Sequence, residues 1–363
     1  MVAAIGVVLV GVGTTAQAGW LFVLAAGVLG LAASGAVVSH RLGGAEISRV
    51  LPARARAGQR VKVELRVRNR TTRRLPVMRV EDAFPAFEPV AVASEAVPAG
   101  ASVAAEVDRI ATTRGVYDEG PVSIETASPF GLVRSKRKVA APSRMIVHPA
   151  WTELRSFPLP ETPAASVDEA LAVTRSGHGE VFAGVREYRP GDQRRWVHWR
   201  TTARTGRLVV REYEEPSRSP VVLVVSGAGP GDEWEALVAA AASIGAFALT
   251  HGRSVHCAGE SRFGGDLEGV TKLQLLDWCA GLDSPGTPAA AVAAAFRRWG
   301  RRCSFVLFGP DAESLEDAVR LARTRGAGVT IVSSRASGGA RRDHAVPVCV
   351  VDPERDLKEC LES

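Results

Sequence analysis

The chain opens on two uncharged apolar runs, residues 1–13 and 20–39, separated by the polar stretch Thr14-Thr15-Ala16-Gln17-Ala18-Gly19. A helix needs about 20 consecutive apolar residues to cross a bilayer core. The pair therefore predicts a transmembrane helical hairpin whose second run is long enough to span and whose first is short. No polar stripe marks a solvent face between Trp20 and Ser39, as a surface helix would require. A cleaved signal peptide is the competing reading, because Ala16-Gln17-Ala18 fits a small-x-small cleavage site. Two features favour the hairpin over it: no basic side chain precedes the first run, and a longer apolar run follows at once.

From about residue 57 the period changes to two. Val61, Val63, Leu65 and Val67 alternate with Lys62, Glu64, Arg66 and Arg68, which predicts a strand with one wet face. Residues 77–80, 88–93, 102–110 and 122–126 read as further short strands, broken by Pro85, Pro98, Gly100 and Gly120. Short strands with turn punctuation and no helical period predict a small β-sandwich. Pro158, Pro160 and Pro163 then mark a stretch, ending near Asp168, that neither a helix nor a central strand continues through, and it reads as a linker.

Beyond Ser219 the rhythm is strand and helix in turn. An unbroken aliphatic run at 221–225 and strand-like runs at 254–258, 303–308, 329–333 and 346–351 alternate with helical patterns at 233–249, 270–282, 289–299, 312–325 and 354–361. That order demands a mainly parallel sheet covered by helices, a Rossmann-like α/β domain. The expected organisation is multidomain: a transmembrane hairpin at 1–41, a β-sandwich-like domain at 42–150, a linker and signature segment at 151–218, and an α/β domain at 219–363.

Composition sharpens this only in part. With 363 residues, a net charge of +6 and 23% charged residues, the chain has length for two soluble domains and only a modest basic excess. The placement of charge says more. The first charged side chain is Arg41, after which Arg41, Arg49, Arg54, Arg56 and Arg60 are opposed by Glu46 alone. By the positive-inside rule this places the soluble part on the cytoplasmic side of the inner (plasma) membrane. The five cysteines, Cys257, Cys279, Cys303, Cys349 and Cys360, form an odd set without C-x-x-C spacing, which argues against a disulfide framework or zinc site. They read as reduced core residues in a reducing compartment.

The densest local pattern runs from Gly179 to Glu214 and contains Arg186-Glu187-Tyr188-Arg189-Pro190-Gly191-Asp192, then Arg195-Trp196-Val197-His198-Trp199-Arg200 and Thr205-Gly206-Arg207. Pro190-Gly191-Asp192 has the chemistry of a turn. Eight arginines face two acids between Arg186 and Arg211, the strongest local positive field in the chain. Two readings are compatible. In one, Arg and Trp form a docking surface for an acidic partner or anionic lipid. In the other they lock the segment in place by pairing with Glu180, Glu187, Asp192 and Glu214. The candidate protein-binding residues are Arg186, Tyr188, Arg189, Gly191 and Asp192, followed by Arg195, His198, Trp199, Arg204 and Arg207.

This stretch closely resembles the signature of DUF58 (domain of unknown function 58), a family of bacterial proteins with N-terminal membrane helices. Thr113-Arg114-Gly115-Val116-Tyr117 and Ser128-Pro129-Phe130-Gly131-Leu132 resemble further landmarks of that family. The resemblance implies a following domain similar to a von Willebrand factor A fold, in which the first strand ends in D-x-S-x-S and holds a metal. Here Ser226 stands at the Asp position, and Gly227-Ala228-Gly229-Pro230 offer no hydroxyl. A hard cation needs oxygen ligands, so the site is expected to be degenerate, with Ser226, Thr287 and Asp311 as its remnants, Asp232 as a conceivable substitute, and no metal or cofactor. Asp311 also reads as a helix-start residue before Ala312.

No phosphate loop, H-E-x-x-H helix or G-x-S-x-G elbow occurs, and Val224 stands where the elbow needs Gly. His251, His256 and Cys257 cluster without an orienting carboxylate and read as structural. The expected function is a membrane-anchored, non-enzymatic protein-binding scaffold. The family resemblance implies a MoxR-type AAA+ ATPase as its partner. Two alternatives stay open. One is an envelope-associated enzyme whose arginines form an anion site with His198, Arg200 and Asp192 in one cleft. The other is nucleic-acid binding, with Trp196 and Trp199 as stacking platforms, although no nucleic-acid partner is expected.

Overall fold

The computed structural model describes residues 2–127, 131, 134–162, 181–190, 192, 196–214, 219–226, 231–283, 287–300, 303–335 and 346–362. The chain divides into two compact units, Met1–Trp151 and Thr152–Ser363.

In the first unit, helices α1 (Val2–Thr15) and α2 (Gly19–Arg41) run side by side in opposite directions. Their seam needs small residues: a Cβ on Gly6 would meet Leu29 at 2.7 Å, and one on Gly13 would meet Leu21 at 3.3 Å. Leu21 and Ala25 are buried in the seam, while Ile5, Val7, Val8, Val12, Trp20, Val23 and Leu24 remain exposed. A 3-10 turn, Leu42–Gly44, follows α2 and inserts Leu42 into the core of the strands beyond it.

Those strands form three small sheets. The first joins β1 (Ala45–Val50), β3 (Arg60–Asn69) and β6 (Ser102–Ile110) in an antiparallel ladder. The second has the order β5 (Val90–Ser94), β4 (Met78–Asp82), β8 (Val122–Thr126) and β9 (Ser135–Val139). The third sets β10 (Met145–His148) between β2 (Arg54–Arg56) and β7 (Gly115–Tyr117). The period-two pattern of β3 turns Val61, Val63, Leu65 and Val67 inward, where they share one core with Met78, Val80, Val122, Ile124, Met145 and Val147.

Charge is buried in this core as well. The Asp82 carboxylate is fully enclosed and lies between two arginines, bonded by Arg49 and 3.0 Å from Arg109 Nη1. The remaining donors of Arg49 reach Ala141 O at 3.2 Å and Ser143 Oγ at 3.1 Å, and Arg109 bonds the Glu88 carbonyl. Each guanidinium also lies over an aromatic ring, Arg49 at 4.6 Å from the Phe84 centroid and Arg109 at 4.8 Å from Phe87. The cluster bolts β1 and β6 of one sheet to β4 of another. Arg49 therefore turns into the core, and it cannot serve the juxtamembrane positive charge that the sequence pattern assigned to it.

The second unit begins with a strap. Thr162 Oγ1 bonds Cys303 O at 2.9 Å, and Pro158 O accepts from Thr330 Oγ1 at 3.3 Å. Buried Arg253 donates to Ser219 O at 2.8 Å and to Pro160 O at 3.3 Å. A Cβ on Gly328 would lie 2.2 Å from Glu161 O, so only glycine lets the strap lie this close.

A two-stranded ribbon, β11 (Val181–Glu187) and β12 (Val209–Glu214), encloses the short helix α3 (Trp199–Thr205) in its connection. Then come β13 (Val221–Val225), α4 (Asp232–Thr250), β14 (Val255–Ala258), α5 (Lys272–Ala280), α6 (Pro288–Trp299), β15 (Ser304–Gly309), α7 (Glu316–Thr324), β16 (Val329–Ser333), β17 (Val348–Val350) and α8 (Leu357–Glu362). The five strands β13 to β17 form a wholly parallel sheet of order β14-β13-β15-β16-β17. Helices cover both faces, which is why the strands are apolar throughout. Val222 and Val224 face Val292 and Phe296 of α6, whereas Leu223 sits against Gly245 of α4.

By length and apolarity α4 passes as a membrane span, yet most of it is enclosed, from Trp234 to Ala248, which makes it the core helix of this unit. The helix expected from Ala312 starts later, at Glu316, because Asp311 Oδ1 accepts from Ser314 N at 2.7 Å and closes a turn first. Asp311 thus caps a turn rather than starting the helix.

Removing the central carboxylate of the buried cluster should be costly, since breaking a buried ion pair from one side costs about 3–5 kcal/mol. Asp82→Asn is expected to lower the stability of the chain by that order, read from the urea midpoint of the β-sheet signal. A loss below about 1 kcal/mol would show that the two arginines do not depend on it.

Candidate functional site

The signature segment is a two-stranded ribbon whose connection carries α3. β11 and β12 pair antiparallel from Val181 opposite Glu214 to Glu187 opposite Val209, with a register shift between Phe182 and Gly184. Tyr188 N continues the ladder to Leu208 O at 2.9 Å, and His198 N reaches Val209 O at 2.8 Å. The turn at Pro190 is held from its flank. Arg186 grips Asp192 with two bonds, 2.7 Å to Oδ2 and 2.8 Å to Oδ1, and Arg189 N donates to Oδ2 at 2.8 Å. Planar bidentate pairing of this kind fixes geometry as well as charge. The Arg186 bonds, followed by that of the Arg189 amide, pull the Asp192 carboxyl from 3.8 down to about 2.

His198 is spent on the fold. Its Nδ1 accepts from Thr201 N at 3.2 Å and lies 2.8 Å from Thr201 Oγ1, so the ring caps the start of α3. Thr202 Oγ1 accepts from Val209 N at 3.1 Å, tying α3 to β12. Gly206 ends the helix at φ 70°, a left-handed position that favours glycine, with its N–H on Thr202 O. Arg207 pairs with Glu187 at 2.9 Å on the surface.

The remaining groups face outward. Trp199 is 67% exposed, Leu208 48% and Val185 44%. The side chains of Arg189, Arg200 and Arg204 are exposed, and among the described residues no carboxylate pairs with them. Arg200 and Arg204 stand four apart on α3, so they share one face of it. Gly191 and Arg195 lie outside the described residues. Asp192, His198 and Arg200 do not act as a unit: the first answers Arg186, the second answers Thr201, and the third is turned to solvent.

The second candidate is the rim where the strands of the parallel sheet end. The strand order places the topological switch point beside β13, the usual crevice for ligands in open α/β sheets. Ser226 closes it: its Oγ donates to Phe308 O at 2.8 Å and its N–H reaches the same oxygen at 2.9 Å. Asp311 serves its own turn, and Thr287 precedes Pro288 at the start of α6 without a side-chain cap bond. Asp232 lies in the first turn of α4 beside Glu233. Glu233 binds Arg335 at 3.0 Å and Ser334 Oγ at 3.4 Å, so an ion pair bridges the loop after β16 to α4. The partners of that bridge stand 102 residues apart, beyond any local pattern.

Deeper in the unit, His256 stacks on Trp299 with ring centroids 4.7 Å apart and accepts from Gly269 N at 2.9 Å. Burial holds it below its ordinary pKa, and burial pushes the Cys257 thiol well up. His251 Nδ1 lies 2.9 Å from Phe247 O. None of the five cysteines forms a disulfide.

Residues 184–257 match the DUF58 family, described as a protein of unknown function. The match opens in β11, runs through α3 and β12, and ends in β14, so it covers most of the ribbon and the first two strands of the sheet. Over 131 residues the chain is 28% identical to the uncharacterized protein YeaD of Bacillus subtilis (strain 168), a match spanning 36% of this chain and 32% of that protein. Solved structures overlap only slightly. The CARDB domain of a Pyrococcus furiosus protein, in complex with di-metal ions, gives a TM-score of 0.18 at 10% identity over 27% of this chain and 91% of that one. The Pseudomonas fluorescens alkylpurine DNA glycosylase AlkC, bound to DNA with an abasic site analogue, gives 0.20 at 11% identity over 29% and 30%. Overlaps this small carry no argument about fold or activity.

The clamp has a pH signature. Because the Asp192 carboxyl is depressed in the fold, its contribution is complete above its ordinary value of 3.8 and is withdrawn as pH falls through about 2. The carboxylate carbon resonance of Asp192 is expected to titrate near that lower value and to return to the ordinary range in Arg186→Gln. Titration at the ordinary value in the unmodified protein would show the clamp to be open in solution.

Proposed function

We propose that this protein is a membrane-anchored, non-enzymatic scaffold of the inner membrane that presents its signature ribbon to an acidic protein partner on the cytoplasmic side. The observation that carries this reading is the division of labour in the ribbon. The side chains of Arg186, Asp192 and His198 hold its connection, and those of Trp199, Leu208, Arg189, Arg200 and Arg204 face water. Aromatic residues and arginine are enriched where proteins bind proteins. A lone two-stranded ribbon is also marginal in water without something packed on it.

The anchor is supported by the apolar exposure of α1 and α2, whose outward Val, Ile, Leu, Phe and Trp side chains form a contiguous belt with no charge before Arg41. Such a belt is far from what water tolerates on a soluble surface. In this reading the α/β unit is a von Willebrand factor A-like domain whose metal rim has been replaced by the Ser226–Phe308 bond and the Glu233–Arg335 pair. The partner is a MoxR-type AAA+ ATPase.

The test is capture from membranes with the detergent-solubilised full chain as bait, beside the variant Arg189→Glu/Arg200→Glu/Arg204→Glu. An ATPase of that class should co-purify with the unmodified chain, less so as salt rises, and the charge reversal should reduce capture by about tenfold or more, because like charges across an interface cost several kcal/mol. Absence of the ATPase from the unmodified capture would remove that partner. Full retention by the variant would move the docking surface elsewhere.

A further inference from the structure

The foot of α2 is flanked by basic side chains brought from two distant parts of the sequence. Gly43, two residues past the end of α2, is overhung by Arg137 of β9, whose Nη1 would lie 2.9 Å from a Cβ placed there. On the other side the loop after β3 is bonded to the same turn, with Arg70 N donating to Gly44 O at 2.9 Å. A Cβ on Gly44 would overlap Thr71 Cγ2 at 1.9 Å. That loop is a built feature. Fully buried Asn69 donates to Arg73 O at 2.8 Å and to Val97 O and Pro98 O at 3.0 Å, and its Oδ1 accepts from Thr71 N at 2.8 Å.

The result is a fixed loop with exposed Arg73 and Arg74 and, over the same turn, exposed Arg137 of the edge strand β9. Among the described residues none of these three has a carboxylate partner, whereas the neighbouring Arg70 is held by Glu46 at 2.6 Å and Lys136 by Glu81 at 2.6 Å. Leu42, buried in the core, pins the turn so that the basic groups keep their place around the helix end.

We propose that Arg73, Arg74 and Arg137 form a collar that binds the anionic headgroups of lipids around α2. The proposal rests on the reading of α1 and α2 as a membrane anchor. Two residues of α2 and two of the 3-10 turn separate Ser39, the last of the apolar run, from Gly43, a rise of about 7 Å. The collar therefore stands within one Debye length, about 8 Å, of the lipid surface. Each basic side chain near an anionic surface changes affinity about fivefold, and three of them act together here. The collar adds to the basic run of the sequence, in which Arg49 is buried and Arg54, Arg56 and Arg60 are exposed.

The experiment uses the full chain reconstituted into nanodiscs of phosphatidylcholine alone or with phosphatidylglycerol, and reads amide exchange in residues 70–74 and 135–139. The expected result is exchange at least about fivefold slower in both segments when phosphatidylglycerol is present. This slowing should disappear in Arg73→Gln/Arg74→Gln/Arg137→Gln while exchange in β3 and β6 stays unchanged. A chain that inserts into both discs but shows no lipid dependence at these segments overturns the collar and leaves the anchor standing. A chain that does not insert at all overturns the anchor and the collar with it.

Discussion

A guanidinium taken out of water must find acceptors for its donors, because a desolvated charge left unpaired is too costly to keep. That demand organises both units of this protein. Asp82 meets it for Arg49 and Arg109 and in doing so joins two sheets. Backbone carbonyls of the strap and of Ser219 meet it for Arg253 at the base of the parallel sheet. On the ribbon the partly exposed Arg186 finds its acceptors in Asp192, through bonds of 2.7 and 2.8 Å. Each satisfied arginine is a structural bolt, and its partner is the residue that cannot be lost.

The same demand identifies surfaces. An arginine that stays in water is under no such obligation, and Arg189, Arg200 and Arg204 on the ribbon and Arg73 and Arg74 at the foot of α2 stay there without a carboxylate among the described residues. Exposed single charges are ordinary. What distinguishes these is company: Trp199 and Leu208 on the ribbon, and a rigid loop against an apolar helix end at the foot. In the account proposed here, one group faces a protein and the other faces lipid.

How far the sequence could be read depended on whether a pattern was local. The alternation in β3 and the aliphatic runs of β13, β15 and β16 announced a wet-faced strand and a parallel sheet, because each follows from the burial of its own neighbours. β9, written Ser-Lys-Arg-Lys-Val, announced nothing, since it exists only as the edge that completes the ladder of β8. β11 and β12 were hidden because the segment was read for charge and not for pairing. At the sheet rim, the loss of the expected Asp at position 226 was legible, whereas the use of Ser226 to grip Phe308, and the Glu233–Arg335 bridge, depend on residues brought together only by the fold. Arg49 shows the opposite failure: counted as a membrane-facing charge, it turned inward because Asp82 was waiting there.

The central claim is that the ribbon's outward face meets a cytoplasmic protein. Site-specific photo-cross-linking in intact cells tests it most directly, with a photoreactive amino acid in place of Trp199 in the full chain. The account predicts a covalent adduct with a soluble acidic protein of the cytoplasm, weakened when Arg200 and Arg204 are reversed in charge. Adducts with lipid alone, with proteins outside the cytoplasm, or with nothing despite normal insertion would contradict it.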